Sequence, residues 1–318
     1  MAAMQLTVVL VNYNTGHLLP RMFSALERAA AGVEMECILV DNASRDGSVD
    51  LLRREYAHHR LLANAANIGF ARANNQALPA ARGKYVLLLN TDAFVEPGTL
   101  KETLAFMDSR ADCGILGVRL SGRDGSLQPS CRYFPTPLNV FLTKTGLGRF
   151  FPWVRMADDL RWDHASIRAC DWVPGCYFLI RREVIEQVGL LDPRFFLYFE
   201  EVDYCRRAKQ AGWKVVFYPH TTVVHLGGES ARSDSDLTRD GQQISALQIE
   251  SEILYFRKHY GCAGLFGHFL LAILADTILA AKDILRRRGT SAIGSNWRHV
   301  GATWSLLLAT RWASRPTR

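Results

Sequence analysis

Three short apolar runs in the first third of the chain each stop at an amide or an acid, and that pattern leaves few folds open. Leu6-Thr7-Val8-Val9-Leu10-Val11 closes on Asn12-Tyr13-Asn14, Cys37-Ile38-Leu39-Val40 on Asp41-Asn42, and Tyr85-Val86-Leu87-Leu88-Leu89 on Asn90-Thr91-Asp92. Runs this apolar belong to strands covered on both faces, as in a parallel sheet wrapped by helices. Between them, Leu18, Leu19, Met22, Phe23 and Leu26 recur at helical spacing, as do Val49, Leu52 and Tyr56 within 48–56. Further strands are expected near Leu61-Leu62 and from Cys113 to Leu120. Helices are expected up to Leu78 and from Pro97-Gly98 through Met107. The alternation predicts an α/β fold with a mainly parallel central sheet flanked by helices. Ligands of such sheets bind beyond the carboxyl ends of the strands. Three strands ending together in Asn and Asp side chains suit a nucleotide and a divalent metal better than an apolar ligand.

Beyond residue 120 the pattern changes. Gly122-Arg123-Asp124-Gly125 reads as a hairpin turn, and 133–168 has no clear periodicity. A second ordered block over 171–226 should hold a strand from Tyr177 to Ile180, helices from Arg182 to Val188 and from Glu200 to Ala211, and strands near 214–218 and 222–225. Residues 227–241 read as a mobile loop. At 318 residues the chain can hold one large α/β domain with an appendage. We place the division at 1–260 and 261–318. The seven cysteines form no Cys-x-x-Cys pair, which fits a reducing cytosol better than a disulfide framework. The first strand begins almost at once without a basic leader, so no signal peptide is expected.

The net charge of +7 is concentrated. Residues 282–318 hold eight Lys and Arg against the single acid Asp283, which accounts for the whole excess. Just upstream, Leu265, Phe266, Phe269, Leu270, Ile273, Leu274, Ile278 and Leu279 make a broad apolar surface opposite His268, Asp276, Lys282 and Asp283. The uncharged run 260–275 is shorter than the roughly 20 residues needed to cross a bilayer. Residence in the membrane interface is therefore expected, with arginines beside the head groups and Trp297, Trp304 and Trp312 continuing the theme; a helical pair packed on the domain is the alternative.

Four constellations carry candidate chemistry. Asn90 and Asp92 straddle Thr91 at a strand end, where an acid is often only a helix cap but can also grip a metal-bound diphosphate. Magnesium and manganese commonly take one or two carboxylates and complete their shell with phosphate oxygens and water. Phe199-Glu200-Glu201-Val202-Asp203 sets three acids at a helix start. Such acids often only offset the helix dipole. Here the preceding Phe195-Phe196-Leu197-Tyr198 should hold them at a buried edge, where mutual repulsion raises a carboxyl toward general-base range. Glu201 and Glu200 are the catalytic candidates and Asp203 a substrate contact. His225 ends an apolar strand before Gly227-Gly228 and can reach the same rim as a metal ligand, imidazole being better suited to manganese than to magnesium. Asn67-Ile68-Gly69-Phe70 opens a helix whose start, with Arg72, offers a place for phosphate or sugar hydroxyls.

Equally informative, there is no Gly-x-Gly-x-x-Gly after the first strand and no Gly-x-x-x-x-Gly-Lys-[Ser/Thr]. Dinucleotide-binding dehydrogenases and P-loop NTPases are disfavoured. Absence of Gly-x-Ser-x-Gly removes the usual serine-hydrolase signature. A sugar-1-phosphate nucleotidyltransferase would need a glycine-rich basic loop where Asn12-Tyr13-Asn14-Thr15 stands. A nucleic-acid-binding role for the basic tail lacks any accompanying recognition motif, so no nucleic-acid partner is expected.

Taken in order, Val9 to Asn14, Val40 to Ser48, Asn67 to Phe70 with Asn74-Asn75, Leu89 to Asp92, Phe199 to Asp203 and His225 to Ser230 resemble the family 2 glycosyltransferases of the GT-A fold. The similarity is greatest to the rhamnosyltransferase-like branch. The resemblance implies that Asp41 binds the nucleobase while Val11, Asn12 and Tyr13 line base and ribose. Asp92 corresponds to the metal-binding acid, with Asn90 where many members carry another Asp. Glu201 corresponds to the general base, His225 to a metal ligand and Gly175 to a loop between donor and acceptor. The implied reaction is inverting and depends on Mg2+ or Mn2+. It moves a sugar from a nucleoside-diphosphate donor, dTDP-rhamnose being favoured, to a polyprenyl-diphosphate-linked or other glycan acceptor. The expected location is cytoplasmic, peripheral to the inner face of the membrane.

Overall fold

The computed structural model describes residues 4–158, 162–228, 242–286 and 290–318. Most of the loop expected at 227–241 lies outside them. The first half runs β1 (Leu6–Asn12), α1 (Leu19–Ala29), β2 (Met35–Asp41), α2 (Ser48–Glu55), β3 (Arg60–Ala63), α3 (Phe70–Ala77) and β4 (Tyr85–Asn90). These strands pair in parallel in the order β3-β2-β1-β4. Each central strand is buried on both faces. Val8 and Leu10 of β1 pack with Met22, Phe23 and Leu26 of α1, while Val9 faces the layer containing α3. Each such side chain contributes about 1.5–3 kcal/mol when fully buried.

The second half follows as β5 (Ala93–Val95), α4 (Thr99–Ser109), β6 (Cys113–Ser121), β7 (Leu127–Gln128), α5 (Pro137–Thr145), β8 (Arg168–Cys170), β9 (Tyr177–Arg181), α6 (Arg182–Val188), α7 (Glu200–Gln210) and β10 (Lys214–His225). One ten-stranded sheet joins both halves through β4-β9-β6-β10-β5. The longest strands share one direction, β10 being parallel to β6. The short β5, β7, β8 and β9 run against them, so the sheet is mixed in its second half.

Two local readings change. The strands expected near 214–218 and 222–225 are one, β10, whose register slips between Tyr218 and Thr222; Pro219 falls in this stretch and has no N–H to donate to a ladder. The irregular 133–168 contains α5, whose start is a capping box: Thr136 Oγ1 accepts from Asn139 N–H, and the Asn139 side chain accepts from the Thr136 N–H. Asn139 replaces the Glu or Gln that usually marks this box in sequence.

The chain ends in α8 (Gln242–Leu285) and α9 (Thr290–Ala309). Gly261 (φ 67°, ψ −164°) breaks α8, a conformation that glycine adopts readily. Before the break, Ile253, Leu254, Tyr255 and Phe256 enter the main core. Beyond it, α8 packs against α5 and α9, with its polar side turned inward. Buried Asp276 forms an ion pair with Lys144 of α5 at 2.7 Å and meets His299 of α9 at 2.8 Å. The outward surface carries exposed Phe266, Leu270, Leu274, Ile284, Leu285, Trp304 and Leu308.

Candidate functional site

The register sets the rim. Asn12 lies opposite Asp41, and Val11 opposite both Val40 and Asn90, so β1, β2 and β4 end level. Asn12 donates to Asp41 Oδ2 at 2.8 Å and accepts from Thr15 Oγ1 at 2.7 Å, while Thr15 meets Thr91 at 2.8 Å. This buried network braces three loops against one another. Above it lies a cavity of about 260 Å3, lined by Val11, Tyr13, Asn42, Asn67, Gly69, Asn90, Asp92, Gly175, Glu200, Glu201 and His225 among others.

His225 arrives by the pairing of the end of β10 with β5, which sets it beside Ala93. A backbone bond from Leu226 N–H to Asp92 carbonyl (3.0 Å) closes the corner. His225 Nε2 then stands 3.5 Å from Asp92 Oδ1. Asn90 Oδ1 is buried without a hydrogen-bond partner, adding a neutral oxygen to the same cavity wall. No cluster of three or more His, Cys, Asp or Glu residues gathers for a metal among the described residues. Two ligands with an orphaned oxygen beside them nonetheless fit a hard divalent cation that draws its remaining ligands from phosphate and water.

Across the cavity, α7 delivers the acids from a constrained turn. Tyr198 (φ 71°) and Phe199 (φ 67°) are both left-handed, a backbone state that costs a non-glycine residue on the order of 1–3 kcal/mol. Supporting contacts hold it: Phe199 packs on Tyr255, Ser251 Oγ donates to Leu197 carbonyl at 2.8 Å, and Phe70 N–H donates to Phe196 carbonyl at 2.7 Å. Gly69 (φ 86°) is required at that last approach, since a Cβ there would sit 2.6 Å from the Phe196 oxygen. Burial raises the carboxyls of both Glu200 and Glu201, and the charge of Glu201 raises Glu200 further. One oxygen of each is buried and unpartnered. The Cys176 thiol, pushed up chiefly by burial, also feels the charges of both Asp92 and Glu201, so the two acids flank one small volume.

Several expected contacts lie elsewhere. Asp203 is wholly buried and does not line the cavity: it is bound by Arg207 (2.8 Å), Lys258 (2.5 Å) and His259 (2.7 Å). The helical period explains this, because two residues past Glu201 points to a different side of α7. Arg72 donates to the carbonyls of Pro193 and Arg318 rather than into the cavity. Asn12 and Asp41 sit beneath the cavity wall, with Asp41 Oδ1 accepting from Ser44 N–H. Asn42 takes the wall position beside Asp41; it donates to Asn67 and accepts from Ile68 N–H. Asn42, Thr91, Phe196 and Tyr198 also line the cavity without having been singled out as site residues; the first two adjoin Asp41 and Asp92, and the last two belong to the apolar stretch that leads into Glu200.

An α/β fold with acids and a histidine around a cleft at the strand ends has the form of a GT-A glycosyltransferase. The chain belongs to glycosyl transferase family 2, whose model matches residues 7–189, and to its rhamnosyltransferase-like branch. An N-acetylglucosaminyl-diphospho-decaprenol L-rhamnosyltransferase of Mycobacterium tuberculosis is 31% identical over 72% of this chain and 78% of its own. Rhamnosyltransferase WbbL of Escherichia coli is 24% identical over 59% of this chain and 74% of its own. Among solved structures, a mannosyltransferase from Pyrobaculum calidifontis in complex with GDP-Man and Mn2+ superposes with a TM-score of 0.57 at 15% identity. It covers 98% of this chain and 88% of that one.

Proposed function

We propose that the protein is an inverting, divalent-metal-dependent rhamnosyltransferase, using dTDP-rhamnose and a polyprenyl-diphosphate-linked acceptor. The observation carrying this reading is one cavity with Asp92 and His225 on its rim side and the unpaired carboxylates of Glu200 and Glu201 on the other. Tyr13, Val11 and Asn42 give the nucleoside an apolar and amide-lined bed. Asp92 and His225 would hold Mg2+ or Mn2+, which when bound offsets charge on the departing diphosphate. Glu201 accepts the proton of the acceptor hydroxyl at its free oxygen, and its raised affinity for protons suits that task. Gly175 leaves room between Phe70 and Glu201, with a Cβ at that position lying 3.8 Å from one and 3.9 Å from the other.

A membrane-linked acceptor agrees with the outer face of α8 and α9. Ala246–Leu285 is long and apolar enough to cross a bilayer by length and composition. Yet its inner side carries ion-paired Asp276 and buried His268 packed on protein, which favours lying in the interface of the inner leaflet. Exposed Phe150 and Trp153 lie just after α5, and Lys282 donates to Thr145 carbonyl at the end of that helix. This brings a second apolar segment near the arginine-rich end. The relative from Mycobacterium tuberculosis supports the choice of sugar and of lipid diphosphate by its name.

The test is a thermal-shift panel of nucleoside diphosphates with and without Mn2+, followed by turnover of dTDP-rhamnose on a polyprenyl-diphosphate-linked N-acetylglucosamine. Stabilisation by dTDP with Mn2+, release of dTDP and a product of inverted anomeric configuration are expected. Release of pyrophosphate, or turnover with retained configuration, would refute the proposal.

A further inference from the structure

The hairpin of β6 and β7 takes no part in the cavity, yet its last residue reaches the site. Gln128 pairs with Leu120 across the hairpin, and its amide spans both polar faces of His225. Gln128 Nε2 donates to the His225 carbonyl at 2.9 Å. Gln128 Oε1 lies 3.0 Å from His225 Nδ1.

The two contacts fix each other. A carbonyl oxygen can only accept, so the amide group facing it must be the NH2. The amide oxygen therefore faces the ring, and Nδ1 must carry the hydrogen that it accepts. In a neutral imidazole with Nδ1 protonated, Nε2 holds a lone pair. That lone pair stands 3.5 Å from Asp92 Oδ1. In that neutral form the two electron-pair donors face each other and offer a place for a cation.

We infer that Gln128 is a positioning residue, which locks the rotation and tautomer of His225 so that Nε2 and Asp92 together face a divalent cation. This rests on the metal role given to His225 in the proposed function. Side chains that hold a ligating imidazole in this way typically change metal affinity about 10–100-fold. Gln128 neither lines the cavity nor touches its contents, so it acts through the ring.

Two measurements on the full-length protein test this. In metal-free protein labelled with 15N-histidine, long-range proton–nitrogen NMR, with His225→Ala to assign the signal, should show His225 protonated at Nδ1. In Gln128→Leu the ring should pass to the Nε2–H form or a mixture. Electron paramagnetic resonance of Mn2+ in the presence of dTDP should show binding weakened about 10–100-fold by Gln128→Leu. Gln128→Glu keeps an acceptor for Nδ1–H but gives up the donor to the His225 carbonyl, so its ring should remain Nδ1–H, and melting temperatures read beside wild type guard against a fold defect in either variant. In a His225→Ala background, Gln128→Leu should cost nothing more, because its effect runs through the ring. A wild-type ring protonated at Nε2, or a folded Gln128→Leu that binds Mn2+ like wild type, would overturn the inference. A wild-type ring held as Nδ1–H that binds no Mn2+ would sink the metal reading instead, while upholding the grip of Gln128 on the ring.

Discussion

Asp203→Asn separates a structural acid from a substrate-binding one. Asp203 is fully buried and shared among Arg207, Lys258 and His259, and Lys258 also reaches Asp192 at 2.7 Å. Removing one partner of a buried ionic network costs about 3–5 kcal/mol, because the others are left without compensation. Asparagine keeps the shape, and Asp192 still holds Lys258, so the lower end, about 3 kcal/mol, is expected. At about 2–4 °C per kcal/mol for a large domain, the melting temperature should fall by about 6–12 °C. Burial alone would raise the Asp203 carboxyl, but the His259 hydrogen bond and the Lys258 and Arg207 charges bring it below its ordinary value. Its stabilisation is therefore present above the unfolded-state value of about 3.9 and lost as pH falls through the lower native one. The melting curves of wild type and variant should converge under acid. Well below the melting point the donor KM should be unchanged. A variant that melts like wild type but binds donor tenfold more weakly would return Asp203 to the substrate site.

Other expectations follow from the same geometry. Glu201→Gln should lower kcat by about 10²–10⁴-fold while dTDP still raises the melting temperature; normal turnover would remove the assigned base. Because burial raises the Glu201 carboxyl, kcat/KM should fall as pH drops through a value above the ordinary 4.3 or so of glutamate. A flat profile down to that value would contradict this. Gly69→Ala should destabilise by at least the roughly 1–3 kcal/mol of a strained backbone and weaken nucleotide binding, read by calorimetry. Leu270→Glu with Leu274→Glu should reduce binding to anionic phospholipid vesicles in flotation assays without altering turnover of a soluble acceptor analogue; unchanged flotation would place the membrane contact elsewhere.

Much of the first half was legible because its strands are uninterrupted apolar runs with polar ends. The parallel order β3-β2-β1-β4 follows once those runs are joined by amphipathic helices. The antiparallel insertion of β9 between β4 and β6 was not legible, since Tyr177–Arg181 reads as a strand in either direction. Its direction follows from how the chain enters through the Gly175 loop. In the site, Asp92, Glu200, Glu201 and His225 meet as their motifs suggested. Arg72 and Asp203 do not, because residue type cannot show which side of a helix a charge occupies when both sides are covered. Gln128 gave no signal at all, as a lone polar residue after a turn is ordinary in sequence and acquires a role only through β10.

The region matched by the family model stops at residue 189, short of the turn at Tyr198 and Phe199 and of the acids it presents. That turn depends on Ser251 and Tyr255, and α7 on Lys258 and His259, all from the first stretch of α8. A fragment that keeps this turn and α7 in place must therefore reach past His259, and trimming the chain at residue 189 would remove Glu200 and Glu201 altogether.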